Sequence, residues 1–216
     1  MNKVIIIAEA GVNHNGSLRK AKALIEVASK AGADFVKFQS FKANKLVSPD
    51  AQKADYQKKN IGDNDDNQFQ MLRNLELSEE DHEELLDYCN QKNIAFFSTA
   101  FDVDGLSYLD SLGLNLFKVP SGEITNYPYL RKLAEIGKPV ILSTGMSNLL
   151  DIERALEVLE QGIDRSMITI LHCNTEYPSP MKDLNLKAMV TIKNKFKLNI
   201  GYSDHSGGII APLIAV

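Results

Sequence analysis

Short runs of apolar residues, many of them β-branched or aromatic, recur along the chain at 4–8, 35–38, 95–98, 116–119, 140–142, 168–171 and 199–201. They are apolar at consecutive positions rather than at every other one. That is the pattern of strands covered on both faces, as in a parallel sheet. Between them the apolar spacing changes to three and four residues, at 18–31, 79–92, 103–112, 127–136, 149–161 and 186–196. Leu24, Val27, Ala28 and Ala31 show it in the first of these stretches, and Leu85, Leu86 and Cys89 in the second. Gly32, Gly113, Gly137 and Gly162 each follow a helix end, where a left-handed residue closes the last turn. Strands that alternate with helices in this way predict an α/β fold on a parallel sheet, open or closed.

The polar residues decide between open and closed. Each strand is followed at its C-terminal end by a chemically active group: Glu9, Lys37 with Gln39, Thr99, Lys118 with Ser121, Ser143 with Thr144, His172 with Asn174, and Ser203 with His205. A doubly wound sheet gathers its ligand site at one switch point and equips two or three strand ends. A (β/α)8 (TIM) barrel points every strand end at one mouth, so seven equipped ends predict the barrel. No GxGxxG, no P-loop and no fixed-length repeat competes with that reading. The polar stretch 41–67 is too long for an ordinary connection and is expected to be a lid over the mouth. Residues 1–216 are taken as one barrel domain that stops after the seventh strand and part of the seventh helix, with no eighth strand. A polypeptide ending there is expected to expose unpaired sheet edges and apolar surface, and not to be a competent catalyst.

Composition narrows the partners. Hydrophobic residues make up 44% of 216, enough for a sizeable core, and the net charge of −4 gives no basic footprint for nucleic acid. Cys89 and Cys173 lie far apart and fit neither a zinc pattern nor a redox pair. No apolar run is long enough to span a bilayer, and the five apolar residues before Glu9 are too few for a signal peptide. The expectation is a cytoplasmic protein with no membrane and no nucleic-acid partner.

Two lysines, Lys37 and Lys118, with the hydroxyls of Thr99, Ser121, Ser143 and Ser203, suit an anion such as a phosphate monoester. A single Ser or Thr at a strand end more often caps the following helix, but four hydroxyls and two lysines together are poorly explained by capping. Glu9 and Glu123 suit sugar hydroxyls or a general base, or else ion pairs to the lysines. Among the histidines, His14 and His172 read as structural and His82, between Asp81 and Glu83, as part of a solvated helix face. His205, beside Asp204 and Ser203, reads as a metal ligand.

Seven segments resemble motifs of the sialic acid synthase family, in that family's order: AEAGVNHNG at 8–16, VKFQ at 36–39, FSTAF at 97–101, FKVPSGE at 117–123, LSTGM at 142–146, HCNTEYP at 172–178 and GYSDH at 201–205. The opening AGVNH is similar to the neuraminate and legionaminate branches, and 173–177 to the legionaminate branch. The resemblance implies a synthase that condenses phosphoenolpyruvate with an N-acylated mannose-type sugar, N-acetylmannosamine or 2,4-diacetamido-2,4,6-trideoxymannose, to a nine-carbon 2-keto acid and phosphate. It implies that Lys37 meets the phosphoenolpyruvate carboxylate and that Thr99, Lys118, Ser121, Ser143 and Ser203 cradle the phosphate. Glu9 and Tyr177 would touch the sugar, Glu123 would activate water, and His205 would be one ligand of a divalent Mn2+ or Mg2+. Some members place Asn two residues before the Tyr. Here Thr175 stands there and Asn174 one step earlier, as the residue left for that phosphoenolpyruvate contact. Such proteins are homodimers that continue into an eighth strand with a second metal-binding His, and then into a small antifreeze-like domain. Two alternatives remain: a Schiff-base aldolase using Lys37 or Lys118, and an inactive barrel fragment with ligand binding only.

Overall fold

The computed structural model describes residues 4–53 and 67–216 in two compact units, Met1–Leu112 and Gly113–Val216. The first unit is built on a three-stranded parallel sheet of β1 (Ile7–Gly11), β2 (Phe35–Ser40) and β3 (Ala95–Ala100), in that order. Residues paired across a parallel ladder share a face, and faces alternate along each strand. Glu9 pairs with Lys37, Lys37 with Phe97, and Gln39 with Thr99, so these five lie on one face. Phe38, Ser40, Phe96 and Ser98 lie on the other.

That second face packs on helices. α1 (Leu18–Lys30) starts where the Ser17 side chain accepts from the Lys20 amide, and it buries Ala21, Ile25 and Ala28. Of the Leu24, Val27, Ala28 and Ala31 stripe read from the sequence only Ala28 is in this buried set; Val27 is exposed. Two short helices, α2 (Ala43–Leu46) and α3 (Gln68–Arg73), lead to α4 (Glu79–Gln91). A reciprocal capping box between Ser78 and Asp81 opens α4, whose buried residues are His82, Leu85 and Cys89. α5 (Val103–Ser111) is capped by Asp102 and buries Leu106 and Leu109. Within this core, Phe38 and Phe96 stack at 5.8 Å.

Two expectations change here. The first strand begins at Ile7, opposite Phe35, and leaves the apolar Val4, Ile5 and Ile6 exposed. Of the expected lid at 41–67, residues 54–66 lie outside the described residues. Its described flanks are packed: Phe41, Ala43 and Lys53 are buried, the Ala43 amide donates to Glu76 at 2.6 Å, and Gln52 bridges to Asn67.

The second unit carries a four-stranded parallel sheet of β4 (Phe117–Val119), β5 (Val140–Ser143), β6 (Ile168–Cys173) and β7 (Asn199–Ser203). Register places Lys118, Ile141, Ser143, Thr169, Leu171, Cys173 and Ser203 on one face. The opposite face, with Phe117, Val119, Leu142 and Ile170, is buried with α6 (Tyr127–Ile136), α7 (Leu149–Leu159) and α8 (Ala188–Phe196). The expected closing of helix ends by left-handed glycines holds at Gly32, Gly113 and Gly137. Gly162 is not left-handed; a Cβ there would stand 2.0 Å from the Ala134 carbonyl oxygen, so the close approach of α6 requires its missing side chain. The last element, α9 (Ile210–Ala215), leaves Ile210, Leu213 and Ile214 exposed.

Candidate functional site

In the first unit, β1 and β2 bring the Glu9 carboxylate to 2.6 Å from Lys37 Nζ. Lys37 is buried and Glu9 exposed, so the pair joins an interior charge to the surface. The ion pair expected as the alternative role for Glu9 is therefore present. On the same face Thr99 is 2% exposed and its hydroxyl has no hydrogen-bond partner among the described residues. A buried, unsatisfied hydroxyl costs about 1–3 kcal/mol, so its retention beside a lysine points to a ligand atom that completes it. Gln39, in register with Thr99, belongs to this face too. The period-two alternation from Lys37 was the signal that identifies it.

In the second unit, Lys118 lies on the same sheet face as Ser143 and Ser203. Ser143 is 2% exposed and its hydroxyl, like that of Thr99, lacks a partner among the described residues. Ser121 does not cap a helix. Its Oγ accepts from the Gly145 amide at 2.9 Å and lies 3.2 Å from Cys173 Sγ. Gly145 must stay bare, because a Cβ would meet Thr175 Cγ2 at 2.5 Å and Ser121 Oγ at 2.8 Å. Glu123 ends the short 3-10 turn Ser121–Glu123, and Asn126 Nδ2 donates to its Oε2 at 2.6 Å. Helix capping falls to other residues, among them Asn126 for α6 and Asn148 for α7.

His205 is held by neighbours that fix its tautomer. Nδ1 donates to the Asn174 carbonyl, 2.5 Å away, so in the neutral ring Nε2 carries the lone pair. That nitrogen faces Tyr177 OH at 3.2 Å and Ser203 Oγ at 3.4 Å, and the Tyr177 ring lies against the imidazole with centroids 4.2 Å apart. Asn174 Nδ2 donates to the Asp183 carbonyl, while its buried Oδ1 has no partner. Nearby, Tyr202 OH donates to Asp204, and burial together with that carboxylate pushes the phenol up to about 12. Among the described residues no three His, Cys, Asp or Glu side chains group to hold a metal ion. His205 offers one ligand, and the residues present do not make up a complete divalent site.

The other histidines are buried, and His14 Nε2 has no hydrogen-bond partner among the described residues. His172 Nε2 donates to the Leu184 carbonyl at 2.7 Å. His14 is fully buried, with Nδ1 accepting from the Gly16 amide. The reading of His82 as a solvated position is wrong: it is 2% exposed. Three residues before Leu85 and seven before Cys89, it belongs to the buried stripe of α4 despite its charged flanks. A cavity of about 550 Å3 also lies beside the N-terminal ends of α7 and α8, lined by Thr144, Met146, Asn148, His172 and Lys187 among others.

Comparison with known proteins agrees with the motifs. The model of the NeuB family matches residues 24–216. Two relatives are named N,N'-diacetyllegionaminic acid synthase. That of Campylobacter jejuni is 56% identical over 100% of this chain and 65% of its own length. That of Legionella pneumophila is 48% identical over 98% of this chain and 60% of its own. The chain thus spans less than two thirds of either relative. Among solved structures, the N-acetylneuraminic acid (sialic acid) synthetase of Leptospira borgpetersenii superposes with a TM-score of 0.87 at 35% identity, covering 99% of this chain and 69% of that one.

Proposed function

This chain belongs to the NeuB family, and from that premise we propose that the protein it comes from condenses phosphoenolpyruvate with an N-acylated mannose-type sugar. The products are a nine-carbon 2-keto acid and phosphate. The observation that carries the reading is the pair of buried, unpartnered hydroxyls, Thr99 and Ser143, each on the same sheet face as a lysine. Orphaned donors beside ammonium groups suit a phosphate and a carboxylate. The names of the two relatives favour the 2,4-diacetamido-2,4,6-trideoxy sugar over N-acetylmannosamine as acceptor.

In this reaction the enol carbon of phosphoenolpyruvate attacks the sugar aldehyde, forming the new C–C bond and leaving positive charge at C2. Water adds there, with Glu123 as the base, and the hemiketal phosphate then loses phosphate by C–O cleavage. Asn126 orients the Glu123 carboxylate for that role. Lys37 takes the substrate carboxylate, and Lys118 with Thr99, Ser121, Ser143 and Ser203 takes the phosphate, whose charge grows as it leaves. Glu9, Tyr177 and Asn174 complete the substrate contacts. A divalent ion, Mn2+ or Mg2+, would polarise the aldehyde; His205 Nε2 would take one of its ligand positions.

The fold class that goes with this reading is the (β/α)8 barrel, and the assembly a homodimer in the cytoplasm. The parallel order of the strands and their polar C-terminal ends support the barrel. No helix among the described residues is long and apolar enough to cross a membrane. The test is phosphate release by the full-length protein from phosphoenolpyruvate with a panel of acceptor sugars, with and without Mn2+ or Mg2+. Release that requires a sugar is the expected result. Borohydride trapping of a lysine adduct with pyruvate would instead favour a Schiff-base aldolase.

A further inference from the structure

On the helix-facing side of the first sheet runs a buried hydrogen-bond chain that the proposed reaction does not use. Ser98 Oγ lies 2.6 Å from Ser40 Oγ, Ser40 Oγ 2.6 Å from His82 Nε2, and His82 Nδ1 2.7 Å from the Ser78 carbonyl. All three side chains are buried. The carbonyl only accepts, so Nδ1 carries the imidazole proton and donates it. Nε2 must then accept from the Ser40 hydroxyl, and Ser40, its proton committed, accepts from Ser98. One carbonyl, at the N-cap of α4, therefore fixes the direction of every bond. Burial lowers the pKa of His82 and keeps it in the neutral form this chain requires.

What the chain holds is the C-terminal end of two strands. Ser40 follows Gln39 on β2 and Ser98 precedes Thr99 on β3. Gln39 and Thr99 are in register and point to the opposite face, the one that carries Lys37. The two serines thus fasten β2 and β3 to α4 from behind, at the positions next to the residues that face the ligand. A polar chain is a costly way to fill such a space, since apolar packing of the same volume is commonly as stable, but it fixes one geometry.

We propose that His82 is a positioning residue, which through Ser40 and Ser98 sets the ends of β2 and β3 so that Thr99 meets phosphoenolpyruvate at hydrogen-bonding distance. This rests on the reaction proposed above. The test uses steady-state phosphate release by the full-length protein. His82→Phe keeps the ring and removes the acceptor. It is expected to raise the KM for phosphoenolpyruvate about tenfold while kcat stays within about threefold, the signature of lost binding rather than lost chemistry. His82→Gln, whose amide oxygen reaches the place of Nε2, is expected to bring KM back to within about threefold of the wild type. In a Ser98→Ala background, His82→Phe should add little, because both changes break the same chain.

A lowered melting temperature with an unchanged KM would overturn the proposal and leave His82 a packing residue, as would failure of the glutamine to rescue. Should His82→Phe not fold, Ser40→Ala and Ser98→Ala each remove one hydroxyl from the chain. Raised KM in both supports the proposal, and normal KM in both overturns it. A wild type that releases phosphate with no acceptor sugar overturns the proposed reaction and this inference with it. Wild-type turnover with a KM indifferent to these changes overturns this inference alone.

Discussion

Lys118 and the buried histidines show how single residues set measurable behaviour. Lys118 shares a sheet face with the orphaned Ser143 hydroxyl. Replacing Lys118 with Ala in the full-length protein removes a charge partner worth about 1.5–3 kcal/mol, so the KM for phosphoenolpyruvate should rise about ten- to a hundredfold. Near-normal saturation would count against the phosphate assignment. His14 and His82 also act on stability. Burial is the largest cause that lowers the pKa of each. A base whose folded pKa is depressed is protonated first in the unfolded chain, so its stabilising effect is complete above about 6.5 and lost as pH falls below that. The slope is at most about 1.4 kcal/mol per pH unit for each histidine. Urea midpoints measured from pH 7.5 to 5 should fall, and fall less in His14→Gln and His82→Gln. A flat profile would show that neither imidazole resists its proton. At this scale the sequence discloses the strand-end groups, because Lys37, Thr99 and Ser143 each stand in or just after the end of an apolar run. It conceals His82, because the charges of Asp81 and Glu83 mask a buried helical position.

Elements end where local chemistry stops them, and two of those ends are open to test. Ser78 and Asp81 cap α4 reciprocally. Ser78→Ala should cost about 0.5–2 kcal/mol, read as a lower urea midpoint with an unchanged slope. Gly145 lies against Thr175, Ser121 and Cys173 at distances a methyl group would violate. Gly145→Ala should cost about 1–3 kcal/mol by overpacking and shift Ser121 away from the Gly145 amide. A variant of wild-type stability would mean that the strand end yields easily. Helix and strand types are legible in the pattern of apolar spacing, but boundaries and phase are less so. α1 buries Ala21 and Ile25 rather than Leu24 and Val27, since apolar residues occupy more of its circumference than the core can cover. The Gly162 signal was likewise real but its cause different: backbone proximity, not handedness.

For the molecule as a whole, the alternation of strands and helices and the parallel pairing follow from sequence, as does membership of the family. The identity of the sugar does not, because the strand-end lysines and hydroxyls are proposed to meet phosphoenolpyruvate, the part of the reaction common to all acceptors. The full-length protein should show a higher kcat/KM for 2,4-diacetamido-2,4,6-trideoxymannose than for N-acetylmannosamine in the phosphate-release assay. The reverse order would move the protein to the neuraminate side. One plain feature of the topology also bears on how the chain reaches this state. In both sheets every strand pairs with the strand next to it in sequence, β1-β2-β3 and β4-β5-β6-β7. Each strand therefore finds its partner across a single connecting segment, the longest being 41–94 between β2 and β3, and loop-closure entropy rises only slowly with that length. A nascent chain leaving the ribosome can therefore add strands to each sheet in the order they are made, each onto the edge left by the strand before it.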